Sequence, residues 1–236
     1  MTYREALDYI HSVVWKGSRP GLSRITELLG LLGDPQKKLR FIHIAGTNGK
    51  GSTSAMTEAV LRAAGYRTGL FVSPYVKTFN ERIALCGVPI SNEDLADFTA
   101  QVRPFADSMA DAPTEFELIT AIGLLYFAAK KCDVVVLETG MGGRLDSTNV
   151  IEDPLVTVIT GIALDHTEYL GDTVEKIAAE KAGIIKDESP ILYGGEDDAA
   201  REVIKAAAQE RGSKFFDIDY RNIKNLKSDL TGSSFD

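Results

Sequence analysis

Apolar runs and helically spaced apolar residues alternate along the first part of the chain. Residues 3–15 and 22–32 carry apolar side chains at helical spacing, which predicts two helices before the first strand. The run RFIHIA at 40–45 predicts that strand, and residues 53–64 predict a helix that ends at Gly65. The sequence therefore predicts a strand, a glycine-rich loop and a helix in succession.

The alternation continues through the middle of the chain. TGLFV at 68–72 predicts a short strand, and residues 91–109 and 114–130 predict helices. A proline-bearing segment, SPYVKTFNERIAL, separates that strand from those helices. DVVVLE at 133–138 is nearly continuous β-branched apolar sequence, which is typical of a strand buried on both faces.

The last part of the chain repeats the pattern. PLVTVITGI at 154–162 and PILYG at 190–194 predict strands, and residues 173–182 and 197–210 predict helices. The residues that follow contain β-like pieces without a completed helix or sheet that could close a second core.

Strands that alternate with helices predict βαβ units, a mostly parallel sheet and helices on both faces of that sheet. The expected fold class is α/β. Residues 1–212 are expected to form this domain with its N-terminal helices, and residues 213–236 a tail.

Composition narrows the function classes. The 236 residues are 44% hydrophobic and 25% charged, as in ordinary globular proteins, and the formal charge of −8 argues against a nucleic-acid partner. Cys86 and Cys132 have no CxxC spacing, and the N-terminus has no charged-then-apolar leader. No apolar run approaches membrane-spanning length. We expect a soluble cytoplasmic protein with no membrane partner.

Polar and glycine-rich residues follow three of the predicted strands. These are GTNGKGS at 46–52, ETGMGGR at 138–144 and ALDH at 163–166. Because ligands of open α/β sheets bind outside the carboxyl ends of the strands, the three segments are expected to line one crevice.

The segment at 46–52 departs from the usual phosphate-loop pattern, G-x-x-x-x-G-K-[ST]. Ile44 stands where the first Gly is due, and Gly51 separates Lys50 from Ser52. The glycines could form only a tight turn, but a Lys among three glycines between a strand and a helix favours a phosphate site. Ser52 or Thr53 is then expected to cap the helix and contact phosphate or metal.

Two further residues at strand ends are candidate metal ligands. Glu138 closes its strand where nucleotide-hydrolysing enzymes place the carboxylate that holds Mg²⁺, although a solvated strand end would look the same. His166 follows Asp165 at another strand end, but Mg²⁺ prefers oxygen ligands. Spacing alone does not assign His166 to a metal.

Several long motifs resemble one family. They are PGLSRITELLGLLGDPQ at 20–36, GTNGKGS at 46–52, FVSPYVKTFNERI at 71–83, FELIT at 116–120, LETGMGGRLDSTN at 137–149 and LDHTEYLGDTVEKIAAEKAGIIK at 164–186. The chain is similar over essentially its whole length to the Mur ligase superfamily, in its folylpolyglutamate synthase and dihydrofolate synthase branch. The resemblance implies a P-loop-type Mur ligase central domain, and a Gly between Lys and Ser separates this branch from the cell-wall Mur ligases.

The resemblance also implies roles for individual residues. The ATP phosphates would be bound by Thr47, Asn48, Gly49, Lys50, Gly51, Ser52 and Thr53; Mg²⁺ would be held by Ser73, Glu138, His166 and a carbamylated Lys181. Lys50, His166 and Lys181 would serve catalysis. The pterin side of the substrate would contact Gly21, Leu22, Ser23, Thr114, Glu115, Phe116, Glu117, Arg144, Leu145 and Asp146. Without the family, Lys181 is a solvated helix residue, Phe116 a core residue, and Arg144 and Asp146 an ion pair.

The implied activity is ATP-dependent ligation of L-glutamate to folate or dihydropteroate through an acyl phosphate, by an enzyme of folate and one-carbon metabolism. Family members end in a second α/β domain, so we expect this chain to be an N-terminal fragment and a monomer whose missing partner is that C-terminal domain. Two alternatives remain open: another Mur-type amino-acid ligase, and a nucleotide-binding module that does not turn over.

Overall fold

An eight-stranded sheet organises the chain in the computed structural model, which describes residues 1–13, 19–229 and 232–236. The strands are β1 Phe41–Ala45, β2 Thr68–Phe71, β3 Ile83–Leu85, β4 Val88–Pro89, β5 Val134–Glu138, β6 Val156–Ile159, β7 Ile191–Tyr193 and β8 Phe215–Asp217. Their order across the sheet is β4-β3-β2-β5-β1-β6-β7-β8. From β2 to β8 every neighbouring pair is parallel, which confirms the predicted α/β class.

The antiparallel edge of the sheet was missed by the sequence analysis. β3 pairs with β2, and β4 pairs with β3, both antiparallel, within and just after the proline-bearing segment. Cys86 and Gly87 both have positive φ and form the two-residue turn that joins β3 to β4. Such a turn matches the twist of a hairpin, so the short strands pair at the sheet edge.

The helices largely occupy the predicted segments. They are α1 Tyr3–His11, α2 Ser23–Leu31, α3 Lys50–Ala63, α4 Asn92–Ser108, α5 Glu115–Ala129, α6 Thr167–Leu170, α7 Val174–Ala182 and α8 Asp198–Glu210. The end of the first predicted helix, 3–15, lies partly outside the described residues. α3 begins at Lys50 rather than at residue 53, because Gly49 adopts a left-handed conformation, with φ 82°, and serves as its N-cap.

Alternate side chains of the central strand β5 enter different hydrophobic clusters. Val135 and Leu137 pack with the cluster that contains buried residues of α1, α2, α4 and α5. Val134 and Val136 pack on the other face with Ile42 and Ile44 of β1 and with Leu61 of α3. Because successive strand side chains point to opposite faces, helices cover both faces of the sheet as predicted.

The tail has two parts. β8 adds to the main sheet beside β7, so the sheet continues past the boundary predicted at residue 212. A separate exposed hairpin follows, formed by β9 Lys227–Asp229 and β10 Gly232–Ser234. Among the described helices, none has the length and hydrophobicity needed to cross a membrane.

Candidate active site at the carboxyl ends of the strands

The phosphate loop, residues 46–52, joins β1 to α3. Lys50, Gly51 and Ser52 already belong to the first turn of α3, so the expected capping by Ser52 or Thr53 is wrong. Gly49 provides no side-chain acceptor for the N–H groups of that turn. In contrast, Thr2, Ser91, Thr114, Thr173 and Asp197 cap α1, α4, α5, α7 and α8. The first turn of α3 therefore presents N–H groups and the positive end of the helix dipole to an anion.

Side chains of the protein donate hydrogen bonds to two carbonyl groups of the phosphate loop. The Gly46 carbonyl accepts from Lys50 Nζ at 3.0 Å and from Lys181 Nζ at 2.8 Å. The Thr160 hydroxyl donates to the Asn48 carbonyl at 2.7 Å. These bonds hold the carbonyl oxygens, which would repel a phosphate, within the protein.

Gly46 and Gly51 of the loop differ in how much space is available for a side chain. A Cβ on Gly46 would lie 1.7 Å from Thr160 Oγ1, so this position has no room for a side chain. A Cβ on Gly51 would lie 3.7 Å from Glu138 Oε2, which is an ordinary contact. Gly46 is therefore required by its packing against Thr160, the residue after β6, whereas sterics alone do not require the Gly between Lys50 and Ser52.

Glu138, at the end of β5, is a buried carboxylate beside this loop. Its side chain accepts the Ser73 N–H at 3.3 Å. Burial raises its pKa to about 7, against the opposing effects of this hydrogen bond and of Lys50. Among the described residues, no Lys or Arg lies within ion-pair distance of it. A hard cation would favour the ionised form, and the Ser73 hydroxyl and Glu138 carboxylate are oxygen donors of the kind Mg²⁺ prefers. The residues present therefore fit magnesium.

Lys181 lies on α7, and its side chain donates to the same Gly46 carbonyl as Lys50. Lys181 is buried. The expectation made without the family resemblance, that Lys181 is a solvated helix residue, is therefore wrong. Burial, followed by repulsion from Lys50, lowers the pKa of its amine to about 8. Carbamylation requires the neutral amine, and this environment increases the fraction of Lys181 that is neutral. The modification itself stays a prediction.

His166 is more exposed to solvent than the other predicted metal ligands. It adopts a left-handed conformation as the N-cap of the short helix α6, with its side chain 54% exposed and its ring 3.7 Å from Asp165. Within the described ranges, no three His, Cys, Asp or Glu side chains form a metal cluster. Ser73 links the predicted set, because it contacts Glu138 and lines the same cavity as His166.

That cavity has a volume of about 490 Å³, and residues that follow β2 and β5, among them Ser73, Gly140 and Met141, line it. It contains most of the predicted substrate residues: Thr114, Glu115, Phe116, Arg144, Leu145 and Asp146. Gly21, Leu22, Ser23 and Glu117 do not line it. The Gly21 N–H instead donates to the carbonyl of Leu145, a cavity residue, at 3.4 Å.

Glu117 has a partner that the sequence did not reveal. Its buried carboxylate lies 3.0 Å from the Arg24 guanidinium of α2 and accepts the Thr114 N–H at 2.7 Å. Removing one member of a buried ion pair leaves the other charge uncompensated. Glu117 therefore fixes the start of α5, and with it the cavity residues Thr114 and Phe116, without reaching the cavity.

Residues 139–147, which follow β5, form a second glycine-rich loop, the pocket loop. The buried Asp146 carboxylate accepts the N–H groups of Gly140, Met141 and Thr148 at 2.9, 2.9 and 3.0 Å, and the Thr148 hydroxyl at 2.6 Å. Arg144 pairs with Glu180 at 2.7 Å, so the alternative that Arg144 and Asp146 pair with each other is wrong. Asp146 organises the backbone of the loop.

Sequence reasoning missed several cavity residues, among them Arg19, Arg82, Met141 and Tyr169. The Arg82 guanidinium lies 5.4 Å from the centre of the Tyr75 ring, and its buried Nε has no hydrogen-bond partner within the described part of the chain. Burial lowers its pKa. Arg82 follows no spacing rule, and the signal for it was only its position inside a quoted motif.

A sequence profile described as the Mur ligase middle domain matches residues 44–236 of the chain. The chain belongs to the Mur ligase family. This Mur ligase chain is 48% identical over 218 residues to the dihydrofolate synthase/folylpolyglutamate synthase of Bacillus subtilis, with 90% of the chain and 50% of that protein covered. It is 42% identical to the folylpolyglutamate synthase of Lacticaseibacillus casei, with 98% of the chain and 55% of the relative covered.

Solved structures agree with the sequence comparison. The Mur ligase chain matches the structure of an FPGS-AMPPCP-folate complex with a TM-score of 0.92 at 41% identity, covering 100% of this chain and 58% of the other. Mycobacterium tuberculosis folylpolyglutamate synthase complexed with ADP and AMPPCP matches with a TM-score of 0.88 at 35% identity, covering 99% and 55%. The resemblance stated from the motifs is confirmed, and the chain spans about half the length of these relatives.

Proposed function

We propose that the full-length protein containing this chain is an ATP-dependent ligase that joins L-glutamate to folate or dihydropteroate through an acyl phosphate. The observation that supports the proposal most directly is that Ser73 contacts both the phosphate-loop site and the cavity. Its N–H binds Glu138 beside the phosphate loop, and the same residue lines the cavity. A phosphate donor and a carboxylate acceptor could therefore meet at one sheet edge, as ligation through an acyl phosphate requires.

The phosphate loop provides what phosphoryl transfer needs. This reaction depends on positioning and charge stabilisation rather than on a nucleophilic side chain. The first turn of α3 would bind the phosphates of ATP through its N–H groups, and Lys50 would leave the Gly46 carbonyl to reach the transferred group. Mg²⁺ held by Glu138, Ser73, His166 and a carbamylated Lys181 would offset the remaining phosphate charge.

The cavity suits a flat, mostly apolar substrate with polar edges. Phe116, Ile119, Leu145 and Leu170 provide apolar surface, and Arg82 provides a cation. The Phe116 ring lies so close to Gly140 that a Cβ there would approach it to 2.6 Å. Apolar walls with a few fixed polar groups are typical of small-molecule sites and would accommodate a pteridine and its aminobenzoate. The relatives' names and the folate complex support this substrate class.

The proposal is tested by phosphate release from the full-length protein with Mg-ATP and L-glutamate. Dihydropteroate and reduced folates are supplied in turn, and a UDP-linked muramyl substrate with its own amino acids serves as the comparison. We expect release with at least one pteridine substrate and none with the muramyl substrate. Release with the muramyl substrate alone would instead establish another Mur-type amino-acid ligase.

The remaining alternative is a nucleotide-binding module without turnover. The 236-residue chain is then expected to bind Mg-ATP and to form no glutamylated product. Mass spectrometry of the pteridine substrate after incubation with this chain distinguishes the two outcomes, since more than one product molecule per protein excludes a module that only binds.

A further inference from the structure

A buried hydrogen-bonded chain connects β1 to the pocket loop. His43, in the middle of β1, is fully buried, and its Nε2 lies 2.8 Å from the Thr148 hydroxyl. That hydroxyl lies 2.6 Å from Asp146 Oδ1. His43 Nδ1 has no hydrogen-bond partner among the described residues. The mechanism proposed above assigns no role to His43 or to Thr148.

The donors around Asp146 fix the direction of each hydrogen bond. Three backbone N–H groups point at its two oxygens, and backbone N–H groups can only donate. Burial raises the pKa of Asp146, and the three bonds oppose this by favouring the ionised carboxylate, the form to which every one of these N–H groups can donate. The Thr148 hydroxyl must then donate its single proton to Asp146, so only its acceptor side faces His43.

The tautomer of His43 follows from this direction. If Thr148 can only accept, Nε2 of His43 must carry a proton. Burial lowers the pKa of His43 to about 3, so the ring is neutral and holds one proton. Nδ1 then carries only a lone pair. A buried acceptor without a partner is less rare in folded proteins than a buried N–H without one.

We propose that His43 and Thr148 are positioning residues for the cavity: the His43 Nε2–H orients the Thr148 hydroxyl, which holds the Asp146 carboxylate against the Gly140 and Met141 N–H groups. Both of these backbone positions line the cavity. Because His43 lies on the strand that ends in the phosphate loop, one strand supports both halves of the site. The effect on catalysis rests on the proposed function, whereas the tautomer does not.

The tautomer is tested by ¹⁵N NMR of the histidine rings in the full-length protein. His43 signals are assigned by their loss in His43→Gln. Two-bond proton–nitrogen correlations report which ring nitrogen carries hydrogen, and we expect protonated Nε2 with bare Nδ1. A proton on Nδ1 alone would overturn the proposal, because Nε2 would then accept from Thr148 and the direction of the hydrogen-bonded chain would be reversed.

The positioning role is tested with two matched substitutions of Thr148. Thr148→Val keeps the shape and removes the hydroxyl, whereas Thr148→Ser keeps the hydroxyl. In Thr148→Val we expect faster hydrogen exchange at the Gly140 and Met141 amides and a KM for the pteridine carboxylate raised about tenfold, the usual effect of one buried hydrogen bond. The Kd of Mg-ATP should stay within about twofold, as expected for a bond of the pocket loop alone.

Thr148→Ser should restore both the exchange protection and the KM. Unchanged protection of both amides in Thr148→Val, or equal loss of pteridine and nucleotide binding, would overturn the positioning role. If no pteridine substrate is turned over by the unmodified protein, the proposed function fails, while the exchange and NMR measurements still decide the role of His43 and Thr148.

Discussion

Two glycine-rich loops follow the neighbouring strands β1 and β5, yet their backbones are held in opposite ways. In the phosphate loop, side chains donate to carbonyl oxygens: Lys50 and Lys181 bind the Gly46 carbonyl, and Thr160 binds that of Asn48. In the pocket loop, a side chain accepts from N–H groups, because the Asp146 carboxylate binds Gly140 and Met141.

This difference separates an anion site from a substrate wall. Where carbonyls are engaged, N–H groups remain for phosphate, and where N–H groups are engaged by a carboxylate, an anion would meet a competing charge. Glycine content alone therefore does not identify a phosphate loop. Whether such a loop can bind a phosphate depends on the side chains that hydrogen-bond to its backbone, which are cations or hydroxyls in one loop and a carboxylate in the other.

Substitution Lys50→Ala should have the largest effect on this comparison. The phosphate loop would lose the cation expected to reach the transferred phosphoryl group, and loss of one such stabilising group slows a reaction by about 100- to 1000-fold. The measurement is exchange of bridging ¹⁸O within ATP by the full-length protein, with a pteridine substrate and no glutamate, because this exchange reports reversible acyl-phosphate formation.

Lys205→Ala, on the exposed face of α8, is the matched control and should leave the exchange rate unchanged. Exchange by Lys50→Ala at the unmodified rate would show that Lys50 only closes the loop through the Gly46 carbonyl.

Substitution Asp146→Asn should weaken the pocket loop and spare the phosphate loop. An amide has one oxygen and a donor NH₂ group, so it cannot accept the bonds that now reach both carboxylate oxygens. We expect the free energy of unfolding to fall by about 2 kcal/mol, within the usual range for lost bonds to a charged group. Urea denaturation measures this change, and titration with an ATP analogue should give an unaltered Kd.

Asp153→Asn provides the comparison for Asp146→Asn, since Asp153 is exposed. If Asp146→Asn also weakened nucleotide binding to the same degree as pteridine binding, the two loops would form one cooperative unit, and the contrast between them would fail.

Local signals in the sequence predicted much of this arrangement. The continuous apolar run of β5 and the Lys among glycines after β1 reflect burial and turn chemistry that neighbouring residues determine. The β3–β4 hairpin carried a weaker signal of the same kind, the Gly87 after Cys86, but its strands are too short to show alternation.

The remaining features depend on contacts between distant parts of the chain. The Arg24–Glu117 pair and the His43–Thr148 bond join residues on different elements, and no spacing rule connects them. Lys181 looked solvated because helical periodicity does not show that its side chain turns toward Gly46. Candidate residues could therefore be named from the sequence, but the groups that hold them in place could not.

The smallest expected effect is a pH dependence of stability from His43, which supports the pocket loop from β1. Its pKa is about 3 in the folded chain, lowered by burial and then by Lys186, against 6.5 in the unfolded chain. Below pH 6.5 the unfolded chain binds a proton that the folded chain does not, so this contribution to stability is lost as pH falls toward 3. At pH 5.5 the loss relative to pH 7 is about 1.3 kcal/mol. Urea denaturation of the unmodified chain and of His43→Gln, each at pH 5.5 and at neutral pH, isolates the contribution of His43, since the two proteins share all other titrating groups. Equal pH dependence in both proteins would mean that His43 has the same pKa in the folded and unfolded chains, and that its burial does not hold the ring neutral.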